Sequence, residues 1–250
     1  MFDHLPDGFT GVITGAGGGI GQAVIRALLD SSQPGRVIAV SRQTPTALQD
    51  IDDARLTTLA LDLTREGGRL ALQQYLDSEP IHLLFNALGT LHDEQRGIRP
   101  EKRLEQLDAE SLMHLMHVNA STPSLLLATL KSSLQGKHPV IVTSLSARVG
   151  SIGDNGFGGW YSYRASKAAH NMLMKTASIE LTRLNKESIV LCLHPGTTDT
   201  PLSEPFQARV PEGKLFSPAF VAQRLIEVIA ARTPEDTGSF RDWDDNIVEW

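Results

Sequence analysis

Phe9-Thr10-Gly11-Val12-Ile13-Thr14-Gly15-Ala16-Gly17-Gly18-Gly19-Ile20-Gly21-Gln22-Ala23-Val24-Ile25-Arg26-Ala27-Leu28-Leu29 is the stretch whose reading decides the fold. Phe9 to Thr14 reads as a short buried strand, and Gln22 to Leu29 as an amphipathic helix. Strand, glycine turn and helix form the context that a phosphate cradle needs. Glycines let the backbone turn tightly and approach a pyrophosphate, and the helix N-terminus offers unpaired N–H groups and the positive end of a dipole. The spacing is Gly-x-x-x-Gly-x-Gly, not the commoner Gly-x-Gly-x-x-Gly. Alone, such a loop serves equally well as a plain turn.

Working outward, strand and helix patterns alternate. Strands are expected near 10–14, 36–41, 56–61, 81–86, 138–145 and 187–193, with a last short one near 238–242. Helices are expected near 19–30, 64–78, 107–134, 161–184 and 217–232. This alternation predicts one α/β domain over residues 1–250: a Rossmann-type, doubly wound parallel sheet with helices on both faces. Right-handed crossovers would gather the glycine turn, Asn86, Ser146 and Pro195 at the carboxyl edge of the strands.

A second pattern lies in Trp160-Tyr161-Ser162-Tyr163-Arg164-Ala165-Ser166-Lys167. Tyr163 and Lys167 are four apart on an expected helix, so phenol and ammonium share a face. A free phenol has a pKa of about 10. A nearby cation should lower it, so that the tyrosine can exchange a proton with a carbonyl or alcohol oxygen. By spacing alone, a packed aromatic beside a solvated lysine fits as well.

Taken together, Thr-Gly-x-x-x-Gly-x-Gly and the Tyr-x-x-x-Lys some 150 residues later resemble the short-chain dehydrogenases/reductases. Leu84-Phe85-Asn86-Ala87-Leu88-Gly89 is similar to the family's Asn-Asn-Ala-Gly segment, departing from it at Ala87 and Leu88. Asn119, Ile141-Val142-Thr143-Ser144-Leu145-Ser146 and His194-Pro195-Gly196-Thr197-Thr198-Asp199-Thr200 follow in the family's order. Ser146 to Ile152 and Trp243 to Trp250 further resemble the C-factor and sniffer-like carbonyl reductase branch.

The resemblance implies hydride transfer between a nicotinamide and a carbonyl or secondary alcohol. Tyr163 would donate the proton, Lys167 would hold the nicotinamide ribose and lower the tyrosine pKa, and Asn119 would hold a water leading to solvent. A serine would hydrogen-bond the substrate oxygen. Placement at the end of a strand favours Ser146, whereas spacing favours Ser151, which precedes Tyr163 by 12 residues against 17 for Ser146. Gly15, Gly19, Ile20 and Gly21 would contact the pyrophosphate side, with Asn86 and Ala87 beside them and Asp62 and Leu63 at the adenine. Pro195, Gly196, Thr198 and Thr200 would border the nicotinamide. At the end of the second strand, Ser41-Arg42 replaces the acidic residue that would repel a 2′-phosphate. A guanidinium there can hold that phosphate, which favours NADP(H) over NAD(H). Residues 198–218, with several prolines and phenylalanines, are expected to form a lid over an apolar carbonyl or alcohol substrate.

Composition fits this reading. The chain is 41% hydrophobic, with a net charge of -6 and no long basic run, against nucleic-acid or anionic-membrane binding. Cys192 is the only cysteine and reads as inert packing. No apolar run approaches the roughly 20 residues of a membrane helix, and Met1 to Asp7 does not resemble a signal peptide. A cytoplasmic homodimer or homotetramer is expected, its subunits meeting through the long helices. His114 and His117 lack a third ligand, so no metal is expected. Asp242, Asp244 and Asp245 read as a solvated acidic turn, with Trp243 and Trp250 anchoring the tail. Two other readings compete: a noncatalytic NADP(H)-binding regulator of the same fold, and a methyltransferase using the glycine turn. The second leaves Tyr163, Lys167 and Arg42 unexplained.

Overall fold

The computed structural model describes residues 1–250. Along the chain run β1 (Phe9–Thr14), α1 (Gly19–Leu29), β2 (Pro34–Ser41), α2 (Thr46–Gln49), β3 (Leu56–Ala60), α3 (Glu66–Leu76) and β4 (Leu83–Asn86). Then come α4 (Ala109–Met116), α5 (Thr122–Thr129), α6 (Lys131–Leu134), β5 (Val140–Leu145) and α7 (Tyr161–Leu184). The last are β6 (Ser188–His194), β7 (Thr197–Thr198), β8 (Leu215–Phe216), α8 (Pro218–Ala230) and β9 (Ser239–Asp242).

Seven strands form one sheet in the order β3-β2-β1-β4-β5-β6-β9, and every neighbouring pair is parallel. The strand order reverses between β1 and β4, which opens a crevice at their carboxyl ends. Both faces are covered, so central strands are apolar throughout, as Ile189-Val190-Leu191-Cys192-Leu193 shows. On one face Phe9, Ile13 and Phe85 pack with Val24, Ile25 and Leu28 of α1 and Val221, Leu225 and Ile229 of α8. On the other, Val12, Val142 and Val190 meet Leu72 of α3, Leu126 of α5, and Met174 and Leu181 of α7. Burial pushes the Cys192 thiol up to about 12, which makes it the inert packing group expected.

Two expectations are corrected. The single helix expected over 107–134 is broken: α4 passes into a π-turn at His117–Ser121 before α5 and α6 continue. Pro123 supplies the reason, because it has no N–H for the carbonyl four residues back, at Asn119, and its ring crowds that carbonyl. Hydroxyls serve other carbonyls there: Thr122 Oγ1 donates to His117 O at 2.8 Å and Ser124 Oγ to Ala120 O at 3.0 Å. The acidic turn is not solvated as a unit. Asp242 is buried against Arg148 (3.0 Å), while Asp245 pairs with Arg232 (2.8 Å) and Arg241 (2.9 Å). Trp243 stacks on Phe216 (4.5 Å) and Trp250 on Phe240 (5.5 Å), so both tryptophans fix the tail to the body.

Candidate active site

The glycine turn closes on β4 and on the segment after β6. Gly15 has φ +74°, and a Cβ there would lie 2.6 Å from the Ala87 carbonyl. A Cβ on Gly21 would meet Gly15 O at 2.5 Å, and one on Gly19 would meet Thr200 Cγ2 at 2.9 Å. Three of the expected cradle glycines are thus fixed by close approach, and Gly15 also by its left-handed backbone. They bring Ala87 and Thr200 to the same edge. The α1 N-terminus opens there without a side-chain cap, leaving its N–H groups available to an anion.

Asn86 ties three strands together. Its Oδ1 accepts from Thr14 Oγ1 at 2.7 Å and its Nδ2 donates to Ser144 Oγ at 2.7 Å. Arg42, beyond the end of β2, is exposed and has no carboxylate within 4 Å. Asp62, after β3, accepts from the Thr64 N–H (3.1 Å) and hydroxyl (2.6 Å), and Leu63 is buried beside it. Burial works against the Asp62 charge, but these bonds and the Arg65 and Arg42 charges hold the carboxyl below its ordinary value. Gly196 takes φ +71° against Phe216 and Trp243, and Thr198 Oγ1 reaches Pro195 O at 3.5 Å.

Tyr163 and Lys167 lie on α7 with Nζ 5.9 Å from the phenol ring centre, and both are buried. Lys167 Nζ donates to Leu145 O at 2.9 Å. Burial lowers the ammonium pKa to about 8. The expectation that Lys167 lowers the Tyr163 pKa is corrected: burial dominates and raises the phenol well above its ordinary value. Burial thus favours the neutral, protonated form of Tyr163.

Asn119 is enclosed in the π-turn. Its Oδ1 accepts from Thr90 N (2.7 Å), and its Nδ2 donates to Thr90 O (2.8 Å) and Ser166 Oγ (2.9 Å). It thereby clamps the loop after β4 onto α7, beside Gly89, where a Cβ would sit 3.5 Å from Lys167 Nζ. The candidate serines diverge. Ser146 Oγ donates to Asn171 Oδ1 at 2.6 Å, and Asn171 Nδ2 donates to Gly150 O at 3.4 Å. Ser151 Oγ accepts from Asp154 N at 3.1 Å. The Tyr163 surroundings are instead apolar: Leu91, Ile98 and Leu115, with Ala147, Trp160 and Phe206 packed on them.

Sequence reading missed Glu101. Its carboxylate accepts from the Ser162 hydroxyl and from Ser162 N at 3.2 Å, and its carbonyl from Trp160 N. A buried anion therefore sits at the positive end of α7, one residue from Tyr163. It helps to hold Gly158, Gly159 and Trp160, which are all left-handed, with φ +64°, +66° and +51°. The capping pattern was invisible because donor and acceptor are about 60 residues apart.

A model described as short chain dehydrogenase matches residues 10–210. The 1-hydroxy-2-glutathionyl-2-methyl-3-butene dehydrogenase of Rhodococcus sp. (strain AD45) is 31% identical over 246 residues, covering 96% of this chain and 99% of that protein. Among solved structures, the carbonyl reductase Sniffer of D. melanogaster superposes with a TM-score of 0.83 at 21% identity, covering 98% of this chain and 100% of that one. The NADPH-bound carbonyl reductase from chicken fatty liver gives 0.83 at 22% identity, covering 98% and 95%.

Proposed function

The chain belongs to the short-chain dehydrogenase family, and from that premise we propose that it is an NADP(H)-dependent oxidoreductase acting on a carbonyl or secondary alcohol. The observation that carries this reading is the buried Tyr163–Lys167 pair beside the carboxyl edge of the sheet. A bound nicotinamide supplies the hydride. Gly15, Gly19 and Gly21, none of which has room for a Cβ, together with the Ile20 backbone between them, are suited to a pyrophosphate, and Arg42 to a 2′-phosphate. Asp62 and Leu63 would hold the adenine end, with Asn86 and Ala87 between. Pro195, Gly196, Thr198 and Thr200 would border the nicotinamide, and residues 198–218 would serve as the lid.

In the reducing direction the hydride goes to the carbonyl carbon, and Tyr163 Oη gives its proton to the carbonyl oxygen. The raised phenol pKa keeps that proton in place until the alkoxide forms. Lys167 holds the ribose and returns a proton toward Tyr163, and Asn119 keeps the loop at Gly89 and Thr90 against the ammonium. Ser146 enters as the support of Asn171. The Ser146 hydroxyl lies 2.6 Å from Asn171 Oδ1, which supports this role over a bond to the substrate oxygen.

NADPH oxidation followed at 340 nm against aldehydes, ketones and diketones tests the reading, with Tyr163→Phe in parallel. Turnover that falls by 10³ or more in the variant, with NADPH binding retained, is expected. Equal turnover in both proteins would remove Tyr163 from the chemistry. NADPH binding without turnover of any substrate would favour the noncatalytic regulator.

A further inference from the structure

A cavity of about 640 Å³ opens beside the Tyr163 cluster, between the segment 92–111 and the 205–206 turn. Its two apolar lining residues, Ile98 and Phe206, belong to the wall around Tyr163. From the cavity inward, His92 meets Phe206 edge-on (5.9 Å), Phe206 meets Trp160 at a tilt (5.1 Å) and Trp160 meets Tyr163 edge-on (6.1 Å). The cavity thus shares an aromatic wall with Tyr163, and an extended substrate seated in it would have to reach past Phe206 and Trp160 to the buried phenol. The apolar pocket expected under the lid does not describe it.

Four of its charges are exposed and without an ion-pair partner. Asp108 is used in capping α4, where it accepts from Ser111 N at 2.7 Å, and Glu101 is used on α7. Arg96 lies 3.5 Å from Asp93. Arg99 and Lys102 have no carboxylate within 4 Å, and Glu94 and Glu110 have no cation, although all four line the same cavity. A simple anion entering here meets the carboxylates, and a simple cation meets the arginines and the lysine. A molecule carrying both signs can satisfy both sets.

We infer that this cavity binds the zwitterionic portion, carboxylates plus ammonium, of an amino-acid- or peptide-like substrate whose carbonyl or alcohol reacts at Tyr163. The inference rests on the oxidoreductase reading for its chemistry, but binding can be scored without turnover. Arg99 and Lys102 take the carboxylates, and Glu94 and Glu110 take the ammonium. They act as specificity residues and touch no reacting atom.

The test is calorimetric titration of the NADPH-loaded protein with S-methylglutathione, a thioether with two carboxylates and one ammonium. Binding is expected that weakens at least tenfold in the double variant Arg99→Gln/Lys102→Gln, and weakens as salt rises from 20 mM to about 0.5 M, where screening shortens to a few ångströms. No binding to the wild type, or equal binding to the double variant, overturns the inference. Kinetics then compare S-(2-oxopropyl)glutathione with its neutral analogue, methylthioacetone. The double variant should raise KM at least tenfold for the conjugate and leave kcat and the neutral ketone unchanged. An equal change for both ketones also overturns it. Loss of the oxidoreductase reading would show separately, as binding of the thioether with no consumption of NADPH on either ketone.

Discussion

Ser146 and Asn171 are joined by a buried 2.6 Å hydrogen bond from the β5 end to the α7 face that carries Tyr163 and Lys167. Removing a donor that contacts the substrate oxygen costs a typical enzyme about 10²–10³ in kcat. Removing Ser146 Oγ instead leaves Asn171 Oδ1 buried and unpaired, which costs stability by about 1–3 kcal/mol. Ser146→Ala is therefore expected to lower denaturant stability by that amount and kcat by less than about tenfold. Asn171→Ala should have a similar effect, with little added in the double variant. A hundredfold fall in kcat at unchanged stability would return Ser146 to the substrate oxygen.

Lys167 gives a pH signature. Its pKa falls from 10.5 toward about 8 on burial, so between those values the unfolded chain holds a proton that the folded chain has released. Stability from this group is lowest below pH 8 and rises as pH climbs from about 8 to 10.5. Lys167→Met, measured without cofactor, should thus raise Tm at pH 7, with a gain that shrinks by pH 10. A variant whose Tm falls equally at both values would mean that the Leu145 contact outweighs the buried charge.

How far this was legible depended on the range over which each signal acts. The glycine turn, the α7 bounds at 161–184 and the positions of the main strands along the chain follow from local periodicity and small residues, so sequence reading finds them. The π-turn was also written locally, in Pro123, but the strong apolar run through 107–134 masked it. Glu101 and Asn171 were hidden for another reason. Each acts through a partner distant in sequence, Ser162 and Ser146, and only the folded chain brings them together. The Tyr163 pKa failed in direction because spacing reports the nearby cation but not the apolar walls.

Glu101 should matter more than its place in a loop suggests. Glu101→Ala strands the Ser162 N–H and hydroxyl at the start of α7, and the carboxylate no longer faces the helix dipole. A loss of about 2–3 kcal/mol is expected in urea unfolding. Because Tyr163 is the next residue after Ser162, kcat should fall as well, while the KM for NADPH holds. Gln at 101 keeps an acceptor and should recover most of the stability. Equal losses in Ala and Gln variants would place the effect in the charge alone.

Cofactor choice turns on Arg42. The guanidinium is exposed at the end of β2 with no carboxylate of its own, and Ser41 before it turns its hydroxyl to Gln43 O at 2.6 Å. Ser41, Arg42 and Gln43 offer no carboxylate to repel a 2′-phosphate, and Arg42, which has no ion pair within 4 Å, is the cation placed to hold it. A hydrogen bond to a charged group contributes about 1.5–3 kcal/mol, or about 10- to 150-fold in affinity. Arg42→Asp removes that contact and adds like-charge repulsion. KM for NADPH should rise by about 100-fold, while KM for NADH changes by less than tenfold, because a carboxylate can accept from the free ribose hydroxyls. Arg42→Ala should fall between, losing the attraction without the repulsion. Steady-state kinetics with both cofactors decide the matter: if wild type and Arg42→Asp discriminate equally, the phosphate is held elsewhere on the carboxyl edge or not at all.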